Sequence, residues 1–171
     1  MTEKPKPIDI TLNRYNQTVG KNEPKFKLWR SVGIMLTYRC PAACGCCYVF
    51  SAPNIADPGE ISFEIAYSNW LATLELAGDS GSVHLTGGEP FLCYELLKQL
   101  LQQAQKDHIS GSLEKIETNA AWCRDDEITR KRLSELAELG LTRLQISTDI
   151  YHQQYVPTEH LQRAIRLATE I

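Results

Sequence analysis

The sequence predicts an α/β fold, a partial (β/α) barrel of about four β/α units built on a parallel sheet. Short apolar runs of strand length alternate four times with segments of helical period, and strands joined through helices form parallel sheets. No internal repeat beyond that alternation, no low-complexity tract and no sign of a second domain interrupts the pattern.

The first unit opens on Val32-Gly33-Ile34-Met35-Leu36-Thr37, an apolar run that fits a buried strand. Phe63, Tyr67, Trp70, Leu71 and Leu74 then recur at helical spacing, with Ser62 as N-cap, Gly78 just past the end and Trp70 in the core. A second strand, Ser82 to Thr86, precedes a helix striped by Leu96, Leu97, Leu100, Leu101 and Ala104. A third, Leu113 to Thr118, leads to a helix from about Asp126 to Leu139 that stops at Gly140. The fourth, Leu141 to Ser147, precedes a helix from about Thr158 with Leu161, Ala164, Ile165 and Ala168 on one face. Residues 1–30, rich in Lys, Pro and Asn and without a period, read as an extended leader, and 31–171 as the core domain. Trp29 and Trp122 find no place in this scheme.

At 171 residues the chain suits one domain with a substantial core. Hydrophobic residues make up 43% and charged residues 23%, the balance of a soluble globular chain. A formal charge of -3 offers no broad basic field, so nucleic acid is not expected as a partner. Met1 to Gly20 is polar and lacks the apolar stretch and small-residue cleavage site of a secretory signal. The longest uncharged run, Cys40 to Ala56, is shorter and far less apolar than the roughly 20 residues of a membrane helix. The expected compartment is the cytoplasm. There six cysteines stay reduced and point to metal or redox chemistry rather than disulfides.

Directly after the first strand comes Cys40-Pro41-Ala42-Ala43-Cys44-Gly45-Cys46-Cys47. The C-x3-C-x2-C spacing supplies three thiolates from one loop, and thiolates are soft ligands suited to iron–sulfur clusters and to zinc. A cubane on three cysteines leaves one iron open to a further ligand. A zinc knuckle would instead recruit Cys46, Cys93 or Cys123 to close the site. After the second strand, Gly87-Gly88-Glu89-Pro90 offers glycines that let backbone approach a ligand and a carboxylate that can receive an ammonium. Standing alone, those four residues make a surface turn before a helix. Ser147-Thr148-Asp149 follows the fourth strand, where a turn or capping role is the alternative. Each strand thus ends in a candidate functional loop, at the rim where parallel β/α barrels build their active sites.

The cysteine loop and the Thr86-Gly87-Gly88-Glu89-Pro90 stretch resemble the signature of the radical S-adenosylmethionine (radical SAM) superfamily, and the resemblance covers about Ser31 to Ile171. It implies a [4Fe–4S] cluster on Cys40, Cys44 and Cys47, with S-adenosyl-L-methionine (SAM) at the open iron. It implies that Gly87, Gly88, Glu89 and Pro90 hold the SAM methionine, Glu89 gripping its ammonium. Ser147 and Asp149 resemble the family's Ser-x-Asp, whose side chains bond the SAM ribose or carboxylate. Thr118-Asn119-Ala120 resembles a Thr-Asn-Gly, with Ala120 in place of the glycine. The implied protein is an enzyme. An external one-electron donor of the flavodoxin or ferredoxin type would reduce the cluster, and SAM would be cleaved to methionine and a 5′-deoxyadenosyl radical that abstracts hydrogen from substrate. The other reading is a non-catalytic zinc or iron–sulfur binding module, and the sequence does not identify a substrate.

The sequence also departs from the family's pattern. Cys46 stands where the family usually has a bulky residue near the adenine. Arg163 and Arg166 fall in no register for the arginine often found on the SAM carboxylate. The family core resembles six β/α units and this chain offers four, so the expectation is a truncated core. Its last helix is still in period at Ala168, and its fourth strand would present an open edge inviting self-association. Cys93 and Cys123 read as buried or incidental thiols. His152 is either a substrate-side group or a loop histidine satisfied by backbone.

Overall fold

A computed structural model describes residues 30–56 and 59–171. Strand β1 (Ser31–Met35), helix α1 (Phe63–Ala77), β2 (Ser82–Thr86), α2 (Tyr94–Lys106), β3 (Leu113–Thr118), α3 (Asp126–Glu138), β4 (Leu144–Ile146) and α4 (Thr158–Glu170) follow in strict alternation. The sheet runs in the order β1-β2-β3-β4, and every neighbouring pair is parallel. The α/β class and the four-unit partial barrel are therefore the observed architecture. The leader expected over residues 1–30 lies, apart from Arg30, outside the described residues, and so does Trp29. Among the described residues no helix is long and apolar enough to cross a membrane.

The period of two along each strand separates the sheet's faces. Val83, Leu85 and Ile116 are fully buried and share one core with Leu97, Leu100 and Leu101 of α2. Trp70 of α1 is buried in the same core, and its indole N–H donates to Ser112 Oγ at 2.8 Å, so the ring is buried without an orphaned donor. The opposite face is polar. Lys115 Nζ lies 2.8 Å from Glu117 Oε1 and donates to Gln145 Oε1 at 2.7 Å, while Thr86 Oγ1 donates to Glu117 Oε2 at 2.9 Å. Gly33 makes room there, because a Cβ at that position would stand 2.5 Å from His84 Nε2. One apolar face under helices and one polar face make this sheet a barrel wall with a polar interior.

Ser62 and Gly78 bound α1 as expected: Ser62 Oγ accepts from Ile65 N–H at 3.3 Å, and Gly78 ends the helix at φ 60°. β4 is shorter than the strand expected over Leu141 to Ser147. The Gly140 and Leu141 N–H groups bond back to the Ala137 and Leu136 carbonyls at 2.9 Å, so Leu141 completes the exit from α3. Pairing extends only from Arg143, whose carbonyl accepts from Ile116 N–H at 3.1 Å, to Ser147, whose N–H donates to Thr118 O at 2.9 Å.

Helix α4 buries only part of the face expected, adding Leu167 to it. Ala164 and Leu167 are fully buried, whereas Ile165 and Ala168 are exposed. Apolar residues occupy two neighbouring rows of this helix, and the buried row is the one whose Ala164 packs on Ala120 and Cys123. Arg163 and Arg166 hold that choice in place. Each contacts Asp126 at 2.6 Å and ties α4 to the start of α3.

Candidate functional site

The loops after all four strands enclose one cavity of about 280 Å³ at the sheet's C-terminal rim. Cys40, Cys44 and Cys47 line it from the loop after β1, and Gly87 and Gly88 from the loop after β2. Asn119 lines it from the loop after β3, and Ser147 and Asp149 from the loop after β4. Residues spread over more than a hundred positions thus meet in one place, and Glu89 and Pro90 are the sequence-predicted site residues that do not line it.

The cysteine loop is wound by its own backbone hydrogen bonds. Cys47 N–H donates to Cys44 O at 3.0 Å and Phe50 N–H to Cys47 O at 3.2 Å, giving two consecutive turns. Cys40 is buried, Cys44 and Cys47 are half-buried, and Cys46 is exposed at the cavity. Burial pushes the Cys40 thiol up to about 11, and nearby Glu89, Cys44 and Cys47 add to the rise. Burial also raises Cys44, followed by the charges of Cys46 and Asp149. These two thiols therefore hold their protons at neutral pH in the metal-free chain, and metal binding must displace them.

Among the described residues no three of His, Cys, Asp and Glu stand close enough to hold a single metal ion. A tetrahedral zinc draws its sulfurs to roughly 2.3 Å from one centre, whereas a four-iron cluster spaces its ligands more widely. Three thiols from one loop around a cavity are soft donors of the kind such a cluster takes. Cys93 and Cys123 are buried away from the cavity, where burial pushes each thiol up to about 12, so neither is placed to close a zinc site with the loop.

The Gly-Gly stretch is required by another loop before any ligand is considered. Gly88 N–H donates to Thr37 O at 2.7 Å and Glu89 N–H to Arg39 O at 2.9 Å, laying this loop on the segment that leads to Cys40. A Cβ on Gly88 would stand 2.2 Å from Arg39 O, and one on Gly87 2.6 Å from Thr37 O. No side chain fits at either position without moving backbone.

Glu89, whose carboxylate the resemblance assigns to a ligand's ammonium, is engaged by the protein itself. It is 1% exposed, and both oxygens are taken by the protein: Oε1 accepts from Phe91 N–H at 3.1 Å and Thr118 Oγ1 at 2.8 Å, and Oε2 from Asn119 N–H at 2.8 Å. Three protein donors thus engage the carboxylate, two of them from Thr118 and Asn119, which themselves line the cavity. Burial pushes its carboxyl up to about 7, and the three donors restrain the rise.

The loop after β3 is drawn into the same network. Thr118 Oγ1 also accepts from Ala120 N–H at 3.0 Å and Trp122 Nε1 at 3.1 Å, and the Trp122 ring stacks on Phe91 with centroids 3.9 Å apart. Trp122, unplaced by the sequence, thus braces the two loops against each other. Ala120 adopts φ 62°, the left-handed conformation that a glycine takes at no steric cost.

The loop after β4 is the open side. Asp149 Oδ1 accepts from Tyr151 N–H at 2.9 Å and His152 N–H at 3.1 Å, and His152 Nδ1 lies 2.8 Å from Oδ2. This is an Asx turn, and the His152 contact holds the Asp149 carboxyl below its usual range. The turn role and the cavity-facing role therefore coexist in Asp149. His152 lines the cavity as well, whereas Arg163 does not: its Nη1 donates to Cys123 O at 2.7 Å, beside the Asp126 contact.

Glu117 also lines the cavity, although sequence reasoning did not single it out. The available signal was parity: Ile116 is buried under the helices, so its neighbour faces the interior.

The model of the Radical SAM superfamily matches residues 34–170 of this chain. PqqA peptide cyclase of Bradyrhizobium diazoefficiens is 30% identical over 119 residues, a match that covers 68% of this chain and 28% of that protein. The chain therefore spans under a third of the curated relative's length. With the matched region running from β1 through α4 and bringing the cysteine loop and the Gly-Gly loop to one cavity, the chain belongs to the radical SAM superfamily.

Proposed function

We propose that the chain carries the cofactor apparatus of a radical SAM enzyme, with Cys40, Cys44 and Cys47 as ligands of a [4Fe–4S] cluster and SAM bound in the adjoining cavity. The observation that supports this most directly is the convergence of three thiols from one loop with Gly87, Gly88, Ser147 and Asp149 around a single cavity. When bound, the reduced cluster and SAM together supply a 5′-deoxyadenosyl radical for hydrogen abstraction. The protein's own part is to hold and shield. The Gly-Gly backbone fixes the segment leading to Cys40, the buried Glu89–Thr118–Asn119 network keeps the rim rigid, and Asp149 presents a carboxylate from a hydrogen-bonded turn. An external one-electron donor of the flavodoxin or ferredoxin type belongs to this proposal. The relative's name makes a peptide the first substrate class to test.

Anaerobic reconstitution followed by a 5′-deoxyadenosine assay tests the reading. Wild type is expected to give a brown protein with a paramagnetic reduced cluster and reductant-dependent SAM cleavage. Replacing Cys40, Cys44 or Cys47 by Ala removes the chromophore, because two thiolates retain a cubane poorly, whereas Cys46→Ala, Cys93→Ala and Cys123→Ala keep it. A colourless zinc protein, or a chromophore lost with Cys46→Ala and kept with Cys47→Ala, overturns the assignment.

A further inference from the structure

Cys40 is the most deeply buried of the four thiols that line the cavity. Its sulfur accepts two N–H donors: the Ala42 backbone at 3.5 Å and the Asn119 side-chain amide at 3.2 Å. Cys47 Sγ accepts a backbone donor from Ser51 at 3.3 Å. Among the described residues, Asn119 is the side chain that donates to one of these sulfurs.

The amide's orientation is fixed by a neighbour. Ala121 N–H, which can only donate, reaches Asn119 Oδ1 at 2.9 Å, so the Nδ2 end faces Cys40. The backbone beneath is held as firmly, with Asn119 N–H on Glu89 Oε2. Asn119 is 5% exposed, so water competes little for its donor. An N–H aimed at a thiolate in a low-dielectric setting favours the more negative state of whatever that thiolate ligates.

On the basis of the cluster site proposed above, we propose that Asn119 is a positioning residue that raises the cluster's reduction potential through Cys40 Sγ. The step concerned is transfer of one electron from the external donor to the oxidised cluster, with no proton or leaving group. The added charge spreads onto the ligand sulfurs, where the Asn119 N–H stabilises it.

The test is an anaerobic redox titration of the reconstituted protein, read by electron paramagnetic resonance. It compares wild type with Asn119→Asp, which keeps an oxygen for Ala121 N–H but turns a like charge to the sulfur, and with Asn119→Ser, whose short side chain cannot reach it. At a fixed solution potential the ratio of reduced to oxidised cluster is expected to fall about tenfold in Asn119→Ser, ~59 mV for a one-electron couple, and further in Asn119→Asp. The midpoint is read from the protein that retains cluster, so partial loss does not obscure it. A purely structural Asn119 would lower cluster content or thermal stability and leave the midpoint unmoved. Wild-type midpoints in both variants overturn the inference and leave the proposed function standing. A wild-type chain that takes up no cluster overturns both.

Discussion

The cavity rim has a buried half and an exposed half, built by different means. On the side of β2 and β3, Glu89, Thr118 and Asn119 are between 1% and 5% exposed, and the Gly-Gly backbone lies directly on the loop after β1. On the side of β4, the Asp149 side chain is 52% exposed, and its carboxylate is engaged within its own turn. Both halves carry family motifs, but the motif residues work at different levels. Glu89 bonds to two segments of the rim, whereas the Asp149 side chain is accessible at the cavity. Loss of the first should appear in folding, and loss of the second in binding.

Glu89→Ala is the strongest way to break that comparison. It orphans Phe91 N–H, Asn119 N–H and the Thr118 hydroxyl, each at a cost of about 1–3 kcal/mol. Denaturant unfolding should show the largest loss of any substitution considered for the rim. A variant of wild-type stability that fails only to bind SAM would restore the direct grip on the ammonium. A pH series sharpens the same point. Burial lifts the native carboxyl from 4.5 to about 7, so between those values the native chain keeps a proton that the unfolded chain has released. The Glu89 contribution is therefore full below about pH 4.5 and lost as pH rises through about 7, a slope that Glu89→Gln should abolish in unfolding experiments.

Gly88→Ala should rank next. Its Cβ would meet the backbone of Arg39, which cannot swing aside as a side chain can, and overpacking of this kind costs about 1–3 kcal/mol. Because Arg39 precedes Cys40, cluster content after reconstitution should fall together with stability. A retained cluster and unchanged unfolding midpoint would show that the two loops are not rigidly packed.

On the exposed half, Asp149→Ala should leave the unfolding midpoint close to wild type while weakening SAM binding about tenfold in anaerobic titration. Equal SAM affinity would confine Asp149 to its turn.

Ala120→Gly should have the smallest effect. Relief of a left-handed alanine, worth about 1–2 kcal/mol, is offset by the lost methyl and the freer unfolded chain, for a net change within about 1 kcal/mol by thermal unfolding.

Much of this molecule was legible along the chain because its signals are local. The strand–helix alternation, the Ser62 cap, the Gly78 stop and the C-x3-C-x2-C spacing each depend on residues a few positions apart. By itself the sequence determined the α/β class, the parallel four-unit order and the family. Tertiary structure decided what depends on contacts between distant segments. Two of the donors that engage the Glu89 carboxylate come from Thr118 and Asn119, some thirty residues away. The glycines at 87 and 88 are required by the backbone at Thr37 and Arg39, and the α4 row that is buried by the loop after β3. The bond from Asn119 to Cys40 joins residues 79 positions apart, and no local pattern can announce it. Periodicity and capping are set within a turn or two of the chain, whereas the burial and orientation of a side chain depend on whichever segment packs against it.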